Sequence, residues 1–287
     1  MSATKLIGLG IQLSIMLMVF GIGLSAGAAR VRPAFHEAGL FGRSLLAMYV
    51  VAPLIAVFVA LNFELNHGVL LALLLLALSP VPPIMPGKQV KAGGTPGYVL
   101  GLLLVASLAA IVVVPVGARL IGLVFGRDIR VPFGVTTQIV AMSVLLPVVA
   151  GLVVARFAPG FASKATKPIS IVAAILLVLV CLPVLWMARQ AIAGLTGNFT
   201  LLAIVLVALA GLAAGHFLGG PDPGNRAALA LATATRHPGV ALGVLKVIAP
   251  GDKEAEVAIV LYLLVSIVAT FPYFLWRKRA RAAHGAN

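Results

Sequence analysis

Residues 70–94 read LLALLLLALSPVPPIMPGKQVKAGG, and residues 227–249 read AALALATATRHPGVALGVLKVIA. Each stretch begins as an apolar run, and prolines and glycines then interrupt it where an ordinary membrane helix would continue. Because proline has no backbone N–H, an undisturbed α-helix cannot pass through either interruption. Unpaired backbone groups are tolerated at membrane depth only where protein or a water-filled cavity surrounds them. The two interruptions therefore predict a protected site inside the membrane.

The rest of the chain has the composition of a protein that crosses a membrane many times. Of its 287 residues, 62% are hydrophobic and only 10% are charged, whereas soluble domains have about 25% charged residues. Apolar stretches of roughly 20 residues recur between short polar breaks, so we expect an all-α membrane protein with about nine transmembrane helices in a single polytopic domain, 1–287. The predicted spans are about 6–28, 43–62, 67–92, 97–124, 133–157, 167–190, 198–219, 225–249 and 254–276.

Both interruptions contain a Pro-Gly step, formed by Pro86 and Gly87 in the first and by Pro238 and Gly239 in the second. Paired interruptions in corresponding positions of two halves are typical of transporters built from inverted repeats. We therefore expect inverted repeats of four and five spans, with the discontinuous helices crossing at these two steps. The first repeat would cover about 6–124 and the second about 133–276.

The formal net charge of +14 would favour nucleic-acid binding in a soluble protein, but the cations here lie mostly in interhelical loops and at the C-terminal end. They predict topology and contacts with anionic membrane lipid, and no nucleic-acid partner. With the Arg-rich C-terminus in the cytoplasm, the inner face would hold eleven cations and the outer face seven. The N-terminus is then outside the plasma membrane, which in a bacterium is the inner membrane. The inner cations are Arg30, Arg32, Arg43, Arg156, Lys164, Lys167, Arg226, Arg277, Lys278, Arg279 and Arg281. The outer ones are Lys5, Arg119, Arg127, Arg130, Arg189, Lys246 and Lys253.

Catalytic side chains are scarce within the apolar spans. The acidic residues fall in loops or at helix ends, and Cys181 is the single cysteine. No paired acids, Ser/His pair or His/Glu metal set is visible in the spans, so we expect no cofactor, no metal and no enzyme activity. A membrane enzyme and a channel remain alternatives, as does a proton-coupled or facilitative carrier of a neutral solute. The oligomeric state stays open, and a monomer is compatible with the sequence.

Three sets of residues resemble the bile acid:sodium symporter family, within the wider superfamily of bile-acid, arsenite and auxin-type carriers. Residues 18–25, MVFGIGLS, look like the family's glycine signature in the first span. Residues 145–152, LLPVVAGL, resemble a fifth-span motif, and the two interruptions resemble the family's crossover regions. The resemblance covers nearly the whole chain. It implies a core domain that contains the crossing helices, a panel domain beside it, and a substrate held between the two.

At the places where the resemblance implies sodium binding, this chain departs from the family. Members that carry sodium use an Asn and Ser pair in the first broken helix, and a Glu four residues before a Gln in the second. Aligned on the Pro-Gly steps, the first region has Lys91-Ala92, and the second has Ala232 and Arg236 in the Glu and Gln positions. Met48 stands where a further Gln would fall. Because a hard cation needs oxygen ligands, we expect no sodium coupling through these sites.

Tethered cations are the predicted replacement for sodium. We expect Lys91 and Arg236 to take the electrostatic place of the two ions and to attract an anion, because a cationic side chain inside a membrane is costly unless it is paired or functional. The resemblance implies a small organic anion, such as a steroid conjugate, a keto acid, a pantoate-like acid or a sulfonate. Further predicted substrate-binding residues are His237, Lys88, Thr233, Thr235 and Gln138.

Structural roles compete with these assignments. Arg236 is equally compatible with a structural role, bonding helix-end carbonyls. Lys88 is slightly more typical of a lysine at the membrane interface. The hydroxyls of Thr233 and Thr235 are also compatible with hydrogen bonds back to their own helix. Tyr262 has the pattern of an interface anchor.

Overall fold

The computed structural model describes residues 3–29, 37–195 and 199–284. Within these residues every regular element is a helix and no strand forms, so the all-α prediction is confirmed. Two of the predicted inner cations, Arg30 and Arg32, lie outside the described residues. The helices are α1 (Ala3–Ala28), α2 (Ala38–Leu46), α3 (Ala52–Asn62), α4 (His67–Leu78), α5 (Met85–Lys91), α6 (Pro96–Val124), α7 (Phe133–Val140), α8 (Leu146–Phe157), α9 (Pro159–Leu195), α10 (Thr200–Leu218), α11 (Pro223–Ala234), α12 (Pro238–Ile248) and α13 (Lys253–His284). Turns of π-helix, Ala47–Val51 and Ala141–Leu145, join α2 to α3 and α7 to α8.

Seven helical segments of the described chain are long and apolar enough to cross a membrane. They are Leu9–Ala28, Ala38–Asn62, Pro96–Val124, Phe133–Phe157, Pro159–Pro183, Thr200–Leu218 and Lys253–Ala283. The other two predicted spans are interrupted, the first between α4 and α5 and the second between α11 and α12. A 12-residue helix such as α4 is only about 18 Å long, shorter than the roughly 30 Å hydrocarbon core. These are the helices of an integral, multi-pass membrane protein; the count of nine spans, the repeats and the orientation stay predictions.

Helix α1 packs against α8 and α9, and its contact with α8 brings two backbones together. A Cβ atom on Gly23 would lie 2.4 Å from the Val148 carbonyl oxygen, and one on Gly151 would lie 2.4 Å from the Phe20 carbonyl oxygen. Small residues at a membrane helix interface permit this approach. The two glycine-containing motifs of the sequence therefore meet in a single contact.

The first halves of both interrupted segments are enclosed by protein. Ten of the 12 residues of α4 are buried, and so are ten of the 12 residues of α11. Helix α4 contacts α3, α6, α12 and α13, and α11 contacts α10 and α5. Because lipid does not surround these helices, each can end inside the protein without exposing its last carbonyl groups to hydrocarbon. The two breaks therefore lie inside the protein and not at its lipid-facing surface.

Candidate functional site

The two interrupted segments touch each other at their breaks, residues 79–84 and 235–237, and we call this contact the crossing. Helix α4 ends at Leu78 and α11 ends at Ala234, and the chain is non-helical after each. The backbone N–H of His237, in the second break, donates a hydrogen bond to the carbonyl oxygen of Pro80, in the first, at 3.0 Å. An unpaired backbone group at membrane depth costs several kcal/mol, so this bond satisfies two groups that the breaks set free.

On the first segment the contact lies at Pro80 and not at the Pro-Gly step that we expected. Pro86 falls in the first turn of α5, where proline suits a helix because its N–H would have no partner anyway. Gly87 lies in the same helix and is exposed. The structure therefore places these two residues in α5, after the break. On the second segment Pro238 and Gly239 do begin α12, directly after the break.

Arg236 lies between the segments and is only 2% exposed. Its Nη1 donates to the carbonyl oxygen of Ser79 at 3.2 Å, and its Nη2 donates to that of Met48 at 2.9 Å. Ser79 caps the C-terminus of α4, and Met48 belongs to the π-helical turn between α2 and α3. One guanidinium group therefore connects three segments of the chain.

The charge of Arg236 is balanced by oxygen dipoles and not by an acid. Among the described residues no carboxylate forms a salt bridge with it. It lies at the C-terminal ends of α4 and α11, where a helix carries about half a negative charge. The hydroxyls of Tyr49 and Tyr262 donate to the carbonyl oxygens of Ala106 and Ala234 at 2.5 and 3.0 Å. The carbonyl oxygens around Arg236 resemble those of a cation-binding site, with the guanidinium group in the place of a bound ion.

His237, the residue after Arg236, supplies a second hydrogen-bonding group where the break ends and α12 begins. It is 1% exposed and forms the N-cap of α12, where its Nδ1 accepts a hydrogen bond from the Val240 N–H at 3.4 Å. With Nδ1 as acceptor, the neutral ring carries its proton on Nε2. Nε2 is buried and has no hydrogen-bond partner in the described part of the chain. A buried donor beside the positive end of a helix is suited to an anionic group.

The predicted lysines are not at the crossing. Lys91 is the exposed last residue of α5, six positions beyond Met85, which corresponds to about 9 Å along the helix axis. An exposed position at the end of α5 does not support the prediction that Lys91 replaces a sodium ion. Lys88 is half-buried in the last turn of the same helix, and Gln138 is exposed on α7.

The two predicted threonines are buried beside the second break, but their hydroxyl protons are used within α11. The hydroxyl of Thr233 donates to the Leu229 carbonyl oxygen at 2.9 Å, and that of Thr235 donates to the Leu231 carbonyl oxygen at 2.6 Å. This is the back-bonding common for threonine in helices. Tyr262 is also buried, so its assignment as an interface anchor is wrong.

Gln89, in α5, is a buried polar residue that lies outside the predicted site. Its Nε2 donates to the carbonyl oxygen of Ala228 on α11 at 2.9 Å. Its Oε1 is buried and has no hydrogen-bond partner within the described residues. The feature of the sequence that could have identified Gln89 is its uncharged amide, because the other residues of α5 are apolar or basic.

Side-chain oxygens are few at the crossing. In the first break, Ser79–Ile84, only Ser79 has one, and its hydroxyl donates to the Leu75 carbonyl oxygen at 2.8 Å. Ala232 and Met48, at positions where the resemblance implies sodium ligands, are both buried and supply none. No cluster of three or more His, Cys, Asp or Glu residues capable of holding a metal occurs among the described residues.

Comparison with protein families matches residues 12–195 to the Sodium Bile acid symporter family. The matched region contains both glycine motifs of the α1–α8 contact and the whole of the first interrupted segment. Comparison with individual curated proteins gave no match.

Proposed function

The chain belongs to the sodium bile acid symporter family, and from this membership we propose that it moves a small organic anion across the membrane by alternating access, without sodium at the family's usual sites. Family membership supports a secondary transporter. The observation that carries the rest is the buried guanidinium of Arg236 between the two breaks, bonded to carbonyl oxygens.

Sodium independence follows because Arg236 occupies a position at which the resemblance implies a sodium ligand. The resemblance implies a sodium ligand at the position of Arg236, and a guanidinium there already uses the carbonyl oxygens of Ser79 and Met48. A second cation 4 Å away would be repelled by about 4 kcal/mol at an effective dielectric constant of 20. Tethering the cation to the chain also removes the need to bind one from solution before each transport cycle.

Preference for an anion follows from the charge balance. Arg236 has no acidic partner among the described residues, so an anion bound nearby would lower the cost of keeping its charge buried. The positive end of α12 and the Nε2 of His237, which has no hydrogen-bond partner among the described residues, provide the matching donors. Transporters with discontinuous helices place anionic substrate groups at such N-terminal ends.

Transport by the purified protein in proteoliposomes tests the proposal. Labelled keto acids, pantoate-like acids, sulfonates and steroid conjugates would be offered in sodium or choline buffer, with and without a pH gradient. We expect saturable uptake and counterflow of at least one anion, at equal rates in both buffers. Strict sodium dependence, or transport confined to neutral solutes, would contradict the proposal, and non-saturable flux would indicate a channel.

A further inference from the structure

A cavity lies near the C-terminal end of α13, away from the crossing. Its volume is about 510 Å³, and Gly93, Pro223, Gly224, Arg277, Ala280 and Arg281 are among its lining residues. It adjoins the beginning of α11, whereas the crossing adjoins the end of that helix, about 18 Å away along its axis. The two arginines are the charged residues of the lining, and no acidic residue contributes to it.

Both arginines retain donors for a ligand. Nη2 of Arg277 donates to the carbonyl oxygen of Pro223 at 2.8 Å, and Nη1 of Arg281 donates to that of Val90. Neither forms a salt bridge within the described part of the chain, and each guanidinium has five N–H donors. The Nε of Arg277 is buried without a hydrogen-bond partner. Because the two arginines are four residues apart, they project from the same face of α13.

The position of the cavity along α13 indicates where a ligand would come from. The apolar part of this helix ends at Trp276, which is 54% exposed, and Arg277 lies over its ring at 5.2 Å. A tryptophan followed by a basic run is typical of the level at which a membrane helix enters water. The phosphate groups of phospholipids lie at that level.

We propose that this cavity binds the phosphate of an anionic phospholipid headgroup through Arg277 and Arg281. Guanidinium groups pair with phosphate through parallel, charge-assisted hydrogen bonds. The same arginines contact the start of α11 and the end of α5, and these two ends pack so closely that a Cβ atom on Gly224 would lie 2.0 Å from the Gly93 carbonyl oxygen. A bound headgroup therefore links the end of α5 and the start of α11 to α13.

Thermal unfolding of the purified full-length protein in a neutral detergent tests the site without a transport measurement. Short-chain phosphatidylglycerol, phosphatidylcholine of equal chain length and inorganic phosphate are the three probes. We expect phosphatidylglycerol to raise the melting temperature by about 3 °C or more, with no shift from the other two. The double substitution Arg277→Gln/Arg281→Gln should abolish the shift. The double substitution Lys278→Gln/Arg279→Gln, which removes the same charge from exposed positions outside the cavity lining, should preserve it.

Equal loss of the shift in both double variants would overturn the proposal, because it would show diffuse attraction to the basic run. An equal shift with inorganic phosphate would overturn the proposal that the bound phosphate belongs to a lipid. If the cavity variant does not fold, Ala280→Leu fills the cavity while it keeps both arginines. Phosphatidylglycerol should then lose its effect, and an undiminished shift would contradict the site.

Discussion

The two interrupted segments break in similar ways but contribute opposite halves of the crossing. The first contributes acceptors, the carbonyl oxygens of Ser79 and Pro80. The second contributes donors, the guanidinium of Arg236 and the N–H of His237. The first break therefore works through its backbone, and the second carries the charge. If this division is right, substitutions in the two segments should differ in predictable ways.

Removal of the charged donor should have the largest effect. Arg236→Met removes two charge-assisted hydrogen bonds, each worth about 1.5–3 kcal/mol, and leaves the carbonyls of Ser79 and Met48 unpaired. We expect the initial rate of anion uptake in proteoliposomes to fall at least about 100-fold. Lys91→Met removes the same charge from the exposed end of α5 and should keep the rate within about twofold of wild type. Equal losses in the two variants would contradict the division.

Restoring the helix through the first break should have the next largest effect. With alanine at positions 80, 82 and 83, the helix can continue, and its own N–H groups then engage the carbonyls that the crossing uses. We expect uptake to fall by at least about 10-fold, since the guanidinium loses an acceptor worth about 1.5 kcal/mol or more. Pro86→Ala, a matched change in the first turn of α5, should alter uptake by less than about twofold. A larger defect in Pro86→Ala than in the triple variant would return the crossing to the Pro-Gly step.

Loss of the neutral donor on the second segment should have a moderate effect. His237→Leu removes the unpaired Nε2 and also the long, 3.4 Å capping bond from the Val240 N–H to Nδ1, while Arg236 stays in place. One hydrogen bond is worth about 1 kcal/mol, so we expect KM for the anion to rise about fivefold with the maximal rate largely kept. His237→Asn, which restores a donor, should recover part of the affinity. A fall in maximal rate at unchanged KM would rule out direct contact with the substrate.

The smallest effect should come from the threonine hydroxyls. In Thr235→Val the carbonyl oxygen of Leu231 still accepts the backbone N–H of residue 235 at 3.2 Å, so no buried group loses its last partner. We expect uptake to change by less than about twofold. A tenfold loss, measured at the same expression level, would instead make Thr235 a substrate ligand.

Composition predicted the helices well and their ends less well. The span predicted at 133–157 coincides with Phe133–Phe157, because a proline marks each end, Pro132 before it and Pro159 after it. The span predicted at 167–190 is instead part of Pro159–Leu195. The first turns of this helix contain the charged Lys164, so the helix begins before its apolar part does. Hydropathy locates the part of a helix that lies in lipid and not where the helix begins.

The site shows a similar limit. Arg236 and His237 could be selected because polar side chains interrupt an apolar stretch. The acceptors that hold Arg236, the carbonyls of Ser79 and Met48, belong to the backbone and have no sequence signature. The Pro-Gly step at Pro86 resembled that of the second break, but which proline of a cluster begins a helix depends on packing with the partner segment. The misplacement of Lys91 followed from that alignment.

The central claim is that Arg236 fills the place that sodium has in the family. Melting temperatures of the purified protein in sodium chloride and in potassium chloride, at equal ionic strength, test this claim without knowledge of the substrate. Ala232→Glu/Arg236→Gln, which supplies the carboxylate and amide that the resemblance implies, should gain a saturable, sodium-specific stabilisation, and the wild-type protein should show none. A saturable, sodium-specific rise in the melting temperature of the wild-type protein would contradict the account.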